Sequence, residues 1–363
     1  MNLVFYRKYR PQSFSDFIGQ EHIVTTLTNA ISGEMISHAY LFAGPRGTGK
    51  TTLARLLAKA VNCENRKGFE PCNKCFSCLE INSGRAMDLI EIDAASQTGV
   101  NEIRNLKEGI RFVPSRLKYK VFIIDECHQL SKSAANALLK TLEEPPARVI
   151  FILATTEVHK MIPTILSRCQ RFDFRKLKVS EIIKKLERDA KKEELKIGKS
   201  ALELIATSAR GSIRDAESLL GQVVAFSSGK EIEAEDIRDV LGLVDTAIVS
   251  QLTDFVAKNQ AKQAIQFLHE TMERGLDPQE FIKAMIDYLR QGLLLKMTGG
   301  ESKIVVGLTE EEIKKLASQI ENLEISQISK IIERFLEAGN KIKYSPIPQL
   351  AIELAIIDSC EIA

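Results

Sequence analysis

The segment from Gly44 to Thr51 reads Gly-Pro-Arg-Gly-Thr-Gly-Lys-Thr and lies between two patterned stretches. The apolar run 39–43 precedes it, and the residues after it repeat their apolar positions with the spacing of one buried helix face. A glycine-rich loop between a buried strand and a helix directs backbone N–H groups and a helix N-terminus at one point. That geometry binds phosphate. The sequence therefore predicts a strand, a phosphate-binding loop and a helix.

The same loop predicts a site for ATP and Mg²⁺. Lys50 would offset the charge of the β- and γ-phosphates, and the Thr51 hydroxyl would ligate Mg²⁺. The loop residues predicted to bind nucleotide are Gly44, Pro45, Arg46, Gly47, Thr48, Gly49, Lys50, Thr51 and Thr52.

Two acidic residues follow another apolar run. Residues 121–124 are Val-Phe-Ile-Ile, and Asp125 and Glu126 come next. By itself this is an ordinary strand end. Beside a phosphate-binding loop, Asp125 is predicted to hold Mg²⁺ and Glu126 to polarise the attacking water. The two patterns together indicate an ATP hydrolase.

Short apolar runs alternate with helical patterns from about residue 38 to 174. The runs lie at residues 39–43, 89–92, 121–124 and 149–154. Continuous runs suit strands buried on both faces of a parallel sheet with flanking helices. Beyond residue 177 the pattern becomes helical. The prediction is an α/β domain at 1–177, a small helical bundle at 178–242 and an all-α domain at 243–363.

The length and net charge of the chain limit the number of domains and the class of partner. A chain of 363 residues is too long for one ordinary core, so two or three domains are expected. A net charge of +2 does not by itself favour nucleic acid. The N-terminus lacks the pattern of a signal peptide, and no apolar run approaches the ~20 residues of a membrane span. A cytoplasmic protein is expected.

Four of the seven cysteines lie close together, in an insertion expected at about residues 62–79. They are Cys63, Cys72, Cys75 and Cys78. Four thiolates at such spacings can hold a tetrahedral, structural Zn²⁺. The alternative is a set of reduced cysteines without metal, which the polar residues between them disfavour. The other three, Cys127, Cys169 and Cys360, are expected to pack.

Taken together, these motifs resemble the AAA+ ATPases and, more narrowly, the γ/τ clamp-loader subunits of bacterial DNA polymerase III. The resemblance covers essentially the whole chain. Its residues are Tyr9-Arg10-Pro11, Phe17-Ile18-Gly19-Gln20, the loop from Gly44 to Thr51, Asp125-Glu126-Cys127-His128, Leu139-Lys140-Thr141-Leu142-Glu143-Glu144-Pro145-Pro146, Ala154-Thr155-Thr156, Ser167-Arg168-Cys169 and Gly211-Ser212-Ile213-Arg214-Asp215-Ala216.

The resemblance implies further site residues. Arg10, Pro11 and Ile18 would border the adenine. Thr156 would sense the γ-phosphate, with Thr155 as the alternative.

Two arginines are added on the same grounds. The bundle at 178–242 would be a helical lid whose Arg214 reaches the bound nucleotide, and Arg168 would act in trans on a neighbouring subunit's ATP. Without the resemblance, Arg214 is a solvated helix residue and Arg168 an ordinary loop arginine.

The function expected from the resemblance is that of a clamp-loader motor, in which ATP binding and hydrolysis load a sliding clamp onto primed DNA. The expected partners are other clamp-loader subunits in homo- and hetero-oligomers, the clamp and primed-template DNA. A polymerase and a helicase would be met through an extension beyond Ala363. The all-α domain would be the oligomerisation collar, and Arg104 is a candidate DNA contact.

Three alternatives stay open at this stage. One is another AAA+ DNA motor of the branch-migration type, which would lack the cysteine insertion. Another is a nucleotide-binding scaffold, which the intact Lys50, Thr51, Asp125 and Glu126 disfavour. The last is a zinc-ribbon DNA-binding module, which would leave the nucleotide motifs unexplained.

Overall fold

The structure is a computed structural model that describes residues 4–96, 113–227, 230–242, 244–299, 308, 310–342 and 344–363. The chain divides into two compact units, Met1–Ala225 and Phe226–Ala363. The candidate DNA contact Arg104 lies outside the described residues.

A parallel sheet of five strands forms the centre of the first unit, in the order β2-β3-β4-β1-β5. The strands are β1 (Ala39–Ala43), β2 (Leu89–Asp93), β3 (Lys120–Asp125), β4 (Val149–Thr155) and β5 (Gln170–Asp173). Because β3, β4 and β1 are neighbours and parallel, their carboxyl ends meet at one edge of the sheet. Ligands of open α/β sheets bind at this edge.

Both faces of the sheet are covered. Alternate residues of β1 and β4 point to opposite sides, so Tyr40 and Ile152 join one hydrophobic cluster while Leu41 and Phe151 join the other. The first cluster includes helix Lys50–Asn62, and the second includes helix Lys132–Glu143. Burial on both faces explains the uninterrupted apolar runs of these strands.

The strand β5 is absent from the sequence prediction. It reads Gln-Arg-Phe-Asp, and only Phe172 is buried. An edge strand pairs on one side only, so it can carry exposed polar residues and lacks the apolar run of a central strand. The pairing of Leu41 with Arg171 in β5 is decided by the tertiary structure.

The helices of the first unit surround this sheet or follow it. They are Phe5–Lys8, Glu21–Ser32, Lys50–Asn62, Phe76–Ser83, Lys132–Glu143, Pro163–Leu166, Val179–Lys192, Lys199–Ser208 and Ile213–Ser227, the last of which ends just beyond the unit boundary.

Helices make up the second unit in the part of it that the structure describes. They are Ala234–Leu241, Thr246–Ala257, Ala261–Glu273, Pro278–Met297, Glu310–Ile320, Ile325–Ile342 and Pro348–Ile362. One hydrophobic core runs from Val249 to Cys360, around Phe281, Met285 and Phe335. The predicted fold class, an α/β domain followed by helical regions, is confirmed.

Within the described residues, no helix taken singly has the length and apolar character to cross a membrane. Helices Ala234–Leu241 and Thr246–Ala257 have that length and apolar character only when they are counted together, and the chain bends between them.

Candidate functional site

The glycine-rich loop follows β1 in a backbone conformation that requires glycine. Gly47 and Gly49 have φ of 75° and 99°, which other residues rarely adopt. A Cβ at Gly47 would lie 1.9 Å from Ser212 Oγ, and one at Gly49 would lie 2.6 Å from Phe17 Cζ. The loop is therefore enclosed between the N-terminal segment and the start of helix Ile213–Ser227.

Lys50 begins the following helix, and its ammonium group lies inside the curve of the loop. Its Nζ donates hydrogen bonds to the carbonyl oxygens of Gly44 at 2.7 Å and Pro45 at 2.9 Å. Burial lowers the pKa of Lys50, while the nearby charges of Glu126 and Asp125 oppose that shift. A buried ammonium beside glycine backbone is suited to pair with phosphate oxygens.

Thr51 and Asp125 meet where the loop helix faces the end of β3. The Thr51 hydroxyl donates to Asp125 Oδ2 at 2.7 Å. Hydroxyl and carboxylate oxygens are the hard ligands that Mg²⁺ selects, and it usually completes its shell with water and phosphate oxygens. The donor set therefore fits the predicted metal.

Glu126 directly follows β3 with φ of 47°, a left-handed conformation uncommon for a non-glycine residue. Its Oε2 accepts two hydrogen bonds from Thr156 beyond the end of β4, from the hydroxyl at 2.8 Å and from the backbone N–H at 3.3 Å. The neighbouring strand therefore holds the carboxylate predicted to polarise water.

The two sensor candidates have different surroundings. Thr155 is fully buried, and its Oγ1 lies 2.9 Å from His128 Nδ1 and accepts the N–H of Glu157 at 3.0 Å. Thr156 contacts Glu126 as described. Thr155 is the last residue of β4 and reaches the acid only through His128, whose Nδ1 lies 3.5 Å from Glu126 Oε2. Thr156, just beyond the strand, is the one of the pair that contacts the acid directly.

A cavity of about 270 Å³ joins these elements. Its lining includes Arg10, Pro11, Ile18, Arg46, Gly47, Thr48, Gly49, Lys50, Thr51, Thr52, Asp125, Glu126 and Arg214, all predicted from the sequence. Gly44 and Pro45 lie behind Lys50 as its acceptors, and Thr156 lies behind Glu126. The structure thus brings the N-terminal segment, loop, acidic pair and lid arginine to one site.

Six further residues line this cavity and are absent from the sequence prediction: Tyr6, Arg7, Phe17, Lys185, Ile213 and Glu217. The Arg214 guanidinium lies over the Tyr6 ring at 4.8 Å from its centroid. Lys185 could have been found, since it and Asp189 interrupt the apolar face of an amphipathic helix. A charge at such a position signals a partner or a ligand.

Lys185, Asp189 and Glu217 form a buried charged cluster between two lid helices. Lys185 Nζ lies 2.5 Å from Asp189 Oδ2 and 2.6 Å from Glu217 Oε1, and it donates to the Tyr9 carbonyl at 3.2 Å. Burial raises the pKa of Glu217 to about 7, with the Lys185 charge opposing and the Asp189 charge adding to the rise. The cluster ties both helices to the N-terminal segment.

Arg168 lies apart from the cavity. Its guanidinium donates to Glu143 Oε1 at 2.7 Å and to the Thr164 carbonyl at 2.8 Å, and its side chain is about one-third exposed (32%). The structure therefore does not bring Arg168 to the nucleotide site of its own chain.

The four predicted zinc ligands come together. The sulfurs of Cys63, Cys72, Cys75 and Cys78 all lie within 4.8 Å of one another, and two of the pairs are 4.0 Å apart. In a tetrahedral site with Zn–S bonds of about 2.3 Å, the sulfurs lie about 3.8 Å apart, so the cluster fits a zinc ion with little movement.

Backbone hydrogen bonds already favour one thiolate. The N–H groups of Lys74 and Cys75 point at the Cys72 sulfur and lower the pKa of Cys72 to about 6. Burial raises the pKa of the Cys63 and Cys78 thiols. Two cysteines outside the cluster, Cys127 and Cys360, are buried, as expected for packing.

Family models cover nearly the whole chain in three adjoining segments. Residues 19–178 match "DNA polymerase III, delta subunit", residues 181–229 match the ATPase lid domain of the DNA polymerase III clamp loader subunit, and residues 232–363 match domain III of DNA polymerase III subunits gamma and tau.

Curated relatives agree with these models. The chain is 43% identical over 357 residues to DNA polymerase III subunit tau of Bacillus subtilis, covering 98% of the chain and 63% of that relative. It is 38% identical to subunit tau of Escherichia coli, covering 54% of it. It is 37% identical to subunit gamma of Buchnera aphidicola, covering 97% of the chain and 96% of that relative. The chain thus spans between half and two thirds of the tau subunits and nearly all of gamma.

Among solved structures, a RuvB T158V structure from Thermotoga maritima has a TM-score of 0.50 at 20% identity, covering 90% of both chains. At that identity the likeness concerns the fold alone.

Proposed function

Because the chain belongs to the gamma/tau family of DNA polymerase III clamp-loader subunits, we propose that it is the ATPase motor of such an assembly. ATP binding and hydrolysis by this chain would drive loading of a sliding clamp onto primed DNA. The observation that carries the proposal is the single cavity that joins the glycine loop, the acidic pair and the lid arginine.

The phosphates would lie on the loop. Backbone N–H groups of residues 46–49 and the N-terminus of helix Lys50–Asn62 would surround them, and Lys50 would exchange its carbonyl acceptors for phosphate oxygens. Thr51 and Asp125 would hold Mg²⁺, which offsets phosphate charge. Arg46, Thr48 and Thr52 complete this part of the proposed site.

The residues around the adenine and the lid would form the other walls of the cavity. Arg10, Pro11 and Ile18 line the cavity from the N-terminal segment and would border the adenine, while Arg214 lines it from the lid. Because this guanidinium moves with the lid helix that carries it, its contact with nucleotide would link the position of the lid to the presence of nucleotide.

Glu126 would act as the base that orients and polarises the attacking water. Thr156 holds its carboxylate at 2.8 Å, so the acid and the proposed sensor are one hydrogen-bonded unit. In this proposal Thr156 couples the state of the γ-phosphate to the position of Glu126.

The remaining assignments belong to the same proposal. The four cysteines would hold a structural zinc, which closes their coordination sphere and stabilises the insertion. The domains would be 1–177, 178–242 and 243–363, the last serving as the oligomerisation collar.

Partners are proposed by analogy with the family. They are other clamp-loader subunits, a sliding clamp and primed-template DNA in the cytoplasm, with polymerase and helicase joined through a longer C-terminal region. Arg168, which lies outside its own cavity, would reach the ATP of a neighbouring subunit.

The test measures ATP hydrolysis by this chain assembled with its partner clamp-loader subunits, with clamp and primed DNA added separately and together. Joint addition should raise the rate well above either alone. Lys50→Ala should abolish ATP binding and this rate, because the loop loses the charge that offsets the phosphates. Lys160→Ala, an exposed lysine of the same domain, is the matched control.

Two outcomes would contradict the proposal. Hydrolysis that branched DNA stimulates without the clamp would indicate a branch-migration motor. ATP binding without any hydrolysis dependent on Lys50 would indicate a scaffold subunit.

A further inference from the structure

The cysteine insertion contacts the segment that forms one wall of the nucleotide cavity. Glu70, two residues before Cys72, accepts the backbone N–H of Phe14 on Oε2 at 2.9 Å and that of Ser15 on Oε1 at 2.7 Å. The neighbouring Phe69 ring packs edge-on against the Phe14 ring at 6.3 Å between centroids. The insertion therefore holds the N-terminal segment with both a two-oxygen carboxylate contact and an aromatic contact.

A buried lysine makes a second connection between the same parts. Lys59, in helix Lys50–Asn62, is only 2% exposed. Its ammonium donates to Gln12 Oε1 at 2.9 Å, Asn73 Oδ1 at 2.7 Å and Asn82 Oδ1 at 2.9 Å. One side chain of the loop helix is thus bonded to the N-terminal segment, to the insertion at Asn73 and to helix Phe76–Ser83 at Asn82.

The held segment leads directly into the cavity. Phe14 is buried, and its carbonyl accepts the Phe17 N–H at 3.1 Å. Phe17 and Ile18 line the cavity, and the Phe17 ring lies against Gly49 so closely that a Cβ there would overlap it. A continuous series of contacts therefore runs from Glu70 through Phe14 and Phe17 to the phosphate loop.

We propose that the cysteine insertion positions the wall of the nucleotide cavity, and that Glu70 is the positioning residue through which it acts. This inference rests on the proposed function, since it assumes that the cavity binds nucleotide. It assigns the metal-binding insertion a second role besides its own stability: with its sulfurs bound, the insertion keeps residues 12–18 in place against the loop.

The effect should fall on nucleotide affinity and not on the chemical step. Glu70 touches neither the loop nor the acidic pair, so its loss leaves the groups that act on the γ-phosphate unchanged. A loosened wall must be ordered when nucleotide binds, and that ordering reduces affinity. A weaker Kd and a higher KM with an unchanged kcat are the expected signature.

The experiment compares Glu70→Gln with Glu64→Gln in the full chain. The amide cannot offer two acceptor oxygens to Phe14 and Ser15. Glu64 is the matched control, because its Oε1 bonds only Ser77 inside the insertion, at the backbone N–H and the hydroxyl. We expect MgADP, measured by calorimetry, to bind Glu70→Gln about 3- to 10-fold more weakly, which corresponds to about 0.7–1.4 kcal/mol. Glu64→Gln should bind as the unchanged chain does.

Zinc content and amide exchange complete the test. Elemental analysis should find about one zinc per chain in both variants, so that a change in affinity is not due to lost metal. In Glu70→Gln the amides of residues 12–18 should exchange faster. A chelator that removes the zinc should weaken MgADP binding in the unchanged chain and have little further effect in Glu70→Gln.

Equal MgADP affinity in both variants, with normal binding by the unchanged chain, would overturn the inference and leave the proposed function standing. Failure of the unchanged chain to bind MgADP would overturn the proposed function itself. If Glu70→Gln does not fold, the inference is tested on the unchanged chain. Slow exchange of the Phe14 and Ser15 amides that persists after zinc removal would then contradict it.

Discussion

At the residue scale, the contact between Glu126 and Thr156 links the proposed base to the proposed sensor. Both residues follow central strands, but β3 and β4 are separated by helix Lys132–Glu143 in the chain and meet only in the sheet. The carboxylate is bonded through one oxygen, Oε2. A change at Thr156 should therefore alter the orientation of the carboxylate without removing its charge.

Thr156→Val should lower kcat for ATP about tenfold or more and change ATP affinity less than about threefold. Valine keeps the shape and the backbone N–H but removes the hydroxyl that orients Glu126, and loss of orientation affects mainly the chemical step. Steady-state hydrolysis with separate binding titrations would measure this.

Thr155→Val is the matched control. Its hydroxyl contacts His128 and the Glu157 N–H, and it reaches Glu126 only through His128. The change should therefore cost about 1 kcal/mol of stability and lower kcat far less than Thr156→Val does. A large kcat loss in Thr155→Val with a normal Thr156→Val would assign the sensor to Thr155.

At the element scale, the buried cluster of Lys185, Asp189 and Glu217 joins helices Val179–Lys192 and Ile213–Ser227. Two carboxyl groups share one ammonium group away from water, and burial raises the pKa of both acids, that of Glu217 to about 7. Since one lysine cannot balance two buried negative charges, the folded state retains a proton here that the unfolded chain releases.

This arrangement predicts a stability that falls as pH rises. Glu217 has a pKa near 4.5 when unfolded and about 7 when folded. Between these values the folded state binds more protons, so the free energy of unfolding decreases with pH through this window and levels off above pH 7. We expect a loss on the order of 1–3 kcal/mol between pH 5 and 8. Hydrogen exchange of core amides of the first unit would report it.

Glu217→Gln should flatten this pH dependence, because a neutral amide has no proton to release. Glu187→Gln, an exposed carboxyl of helix Val179–Lys192, is the control and should keep the slope of the unchanged chain. Identical slopes in all three proteins would show that the cluster does not titrate in this window.

At the scale of the whole molecule, the proposed role of Arg168 would make hydrolysis depend on assembly. The guanidinium is bonded to Glu143 and Thr164 at the surface, while the near side of the proposed phosphate site is already occupied by Lys50. A fixed guanidinium on the far side of the phosphates can raise the rate of hydrolysis about 10³–10⁵-fold. In this proposal it comes from the neighbouring subunit.

Arg168→Ala should leave nucleotide binding by the isolated chain unchanged and depress hydrolysis by the assembly. Mixing Arg168→Ala chains with Lys50→Ala chains provides the sharper measurement. A Lys50→Ala subunit still presents its arginine to an intact loop, so mixed assemblies should regain part of the activity. No recovery at any ratio, in assemblies shown to be mixed, would assign Arg168 a structural role only.

The sequence by itself determined the α/β domain with its helical lid and helical C-terminal region, and the family to which the chain belongs. It also indicated the loop, the acidic pair and the four cysteines. These features can be predicted from the sequence because each depends on residues that are close in the chain. The phosphate-binding loop lies directly between its strand and its helix, and the four thiols lie within 16 residues of one another.

Only the tertiary structure decided which distant residues complete the site. Phe17 and Glu217 reach the cavity from the N-terminal segment and from helix Ile213–Ser227, and no spacing in the sequence places either of them beside the loop. Glu70 accepts hydrogen bonds from the backbone N–H groups of Ser15 and Phe14, which lie 55 and 56 positions earlier in the chain. Backbone N–H groups carry no sequence signal. A hydrogen bond to the main chain leaves no preference in the residue that donates it, so such contacts follow from packing and cannot be read from composition or spacing.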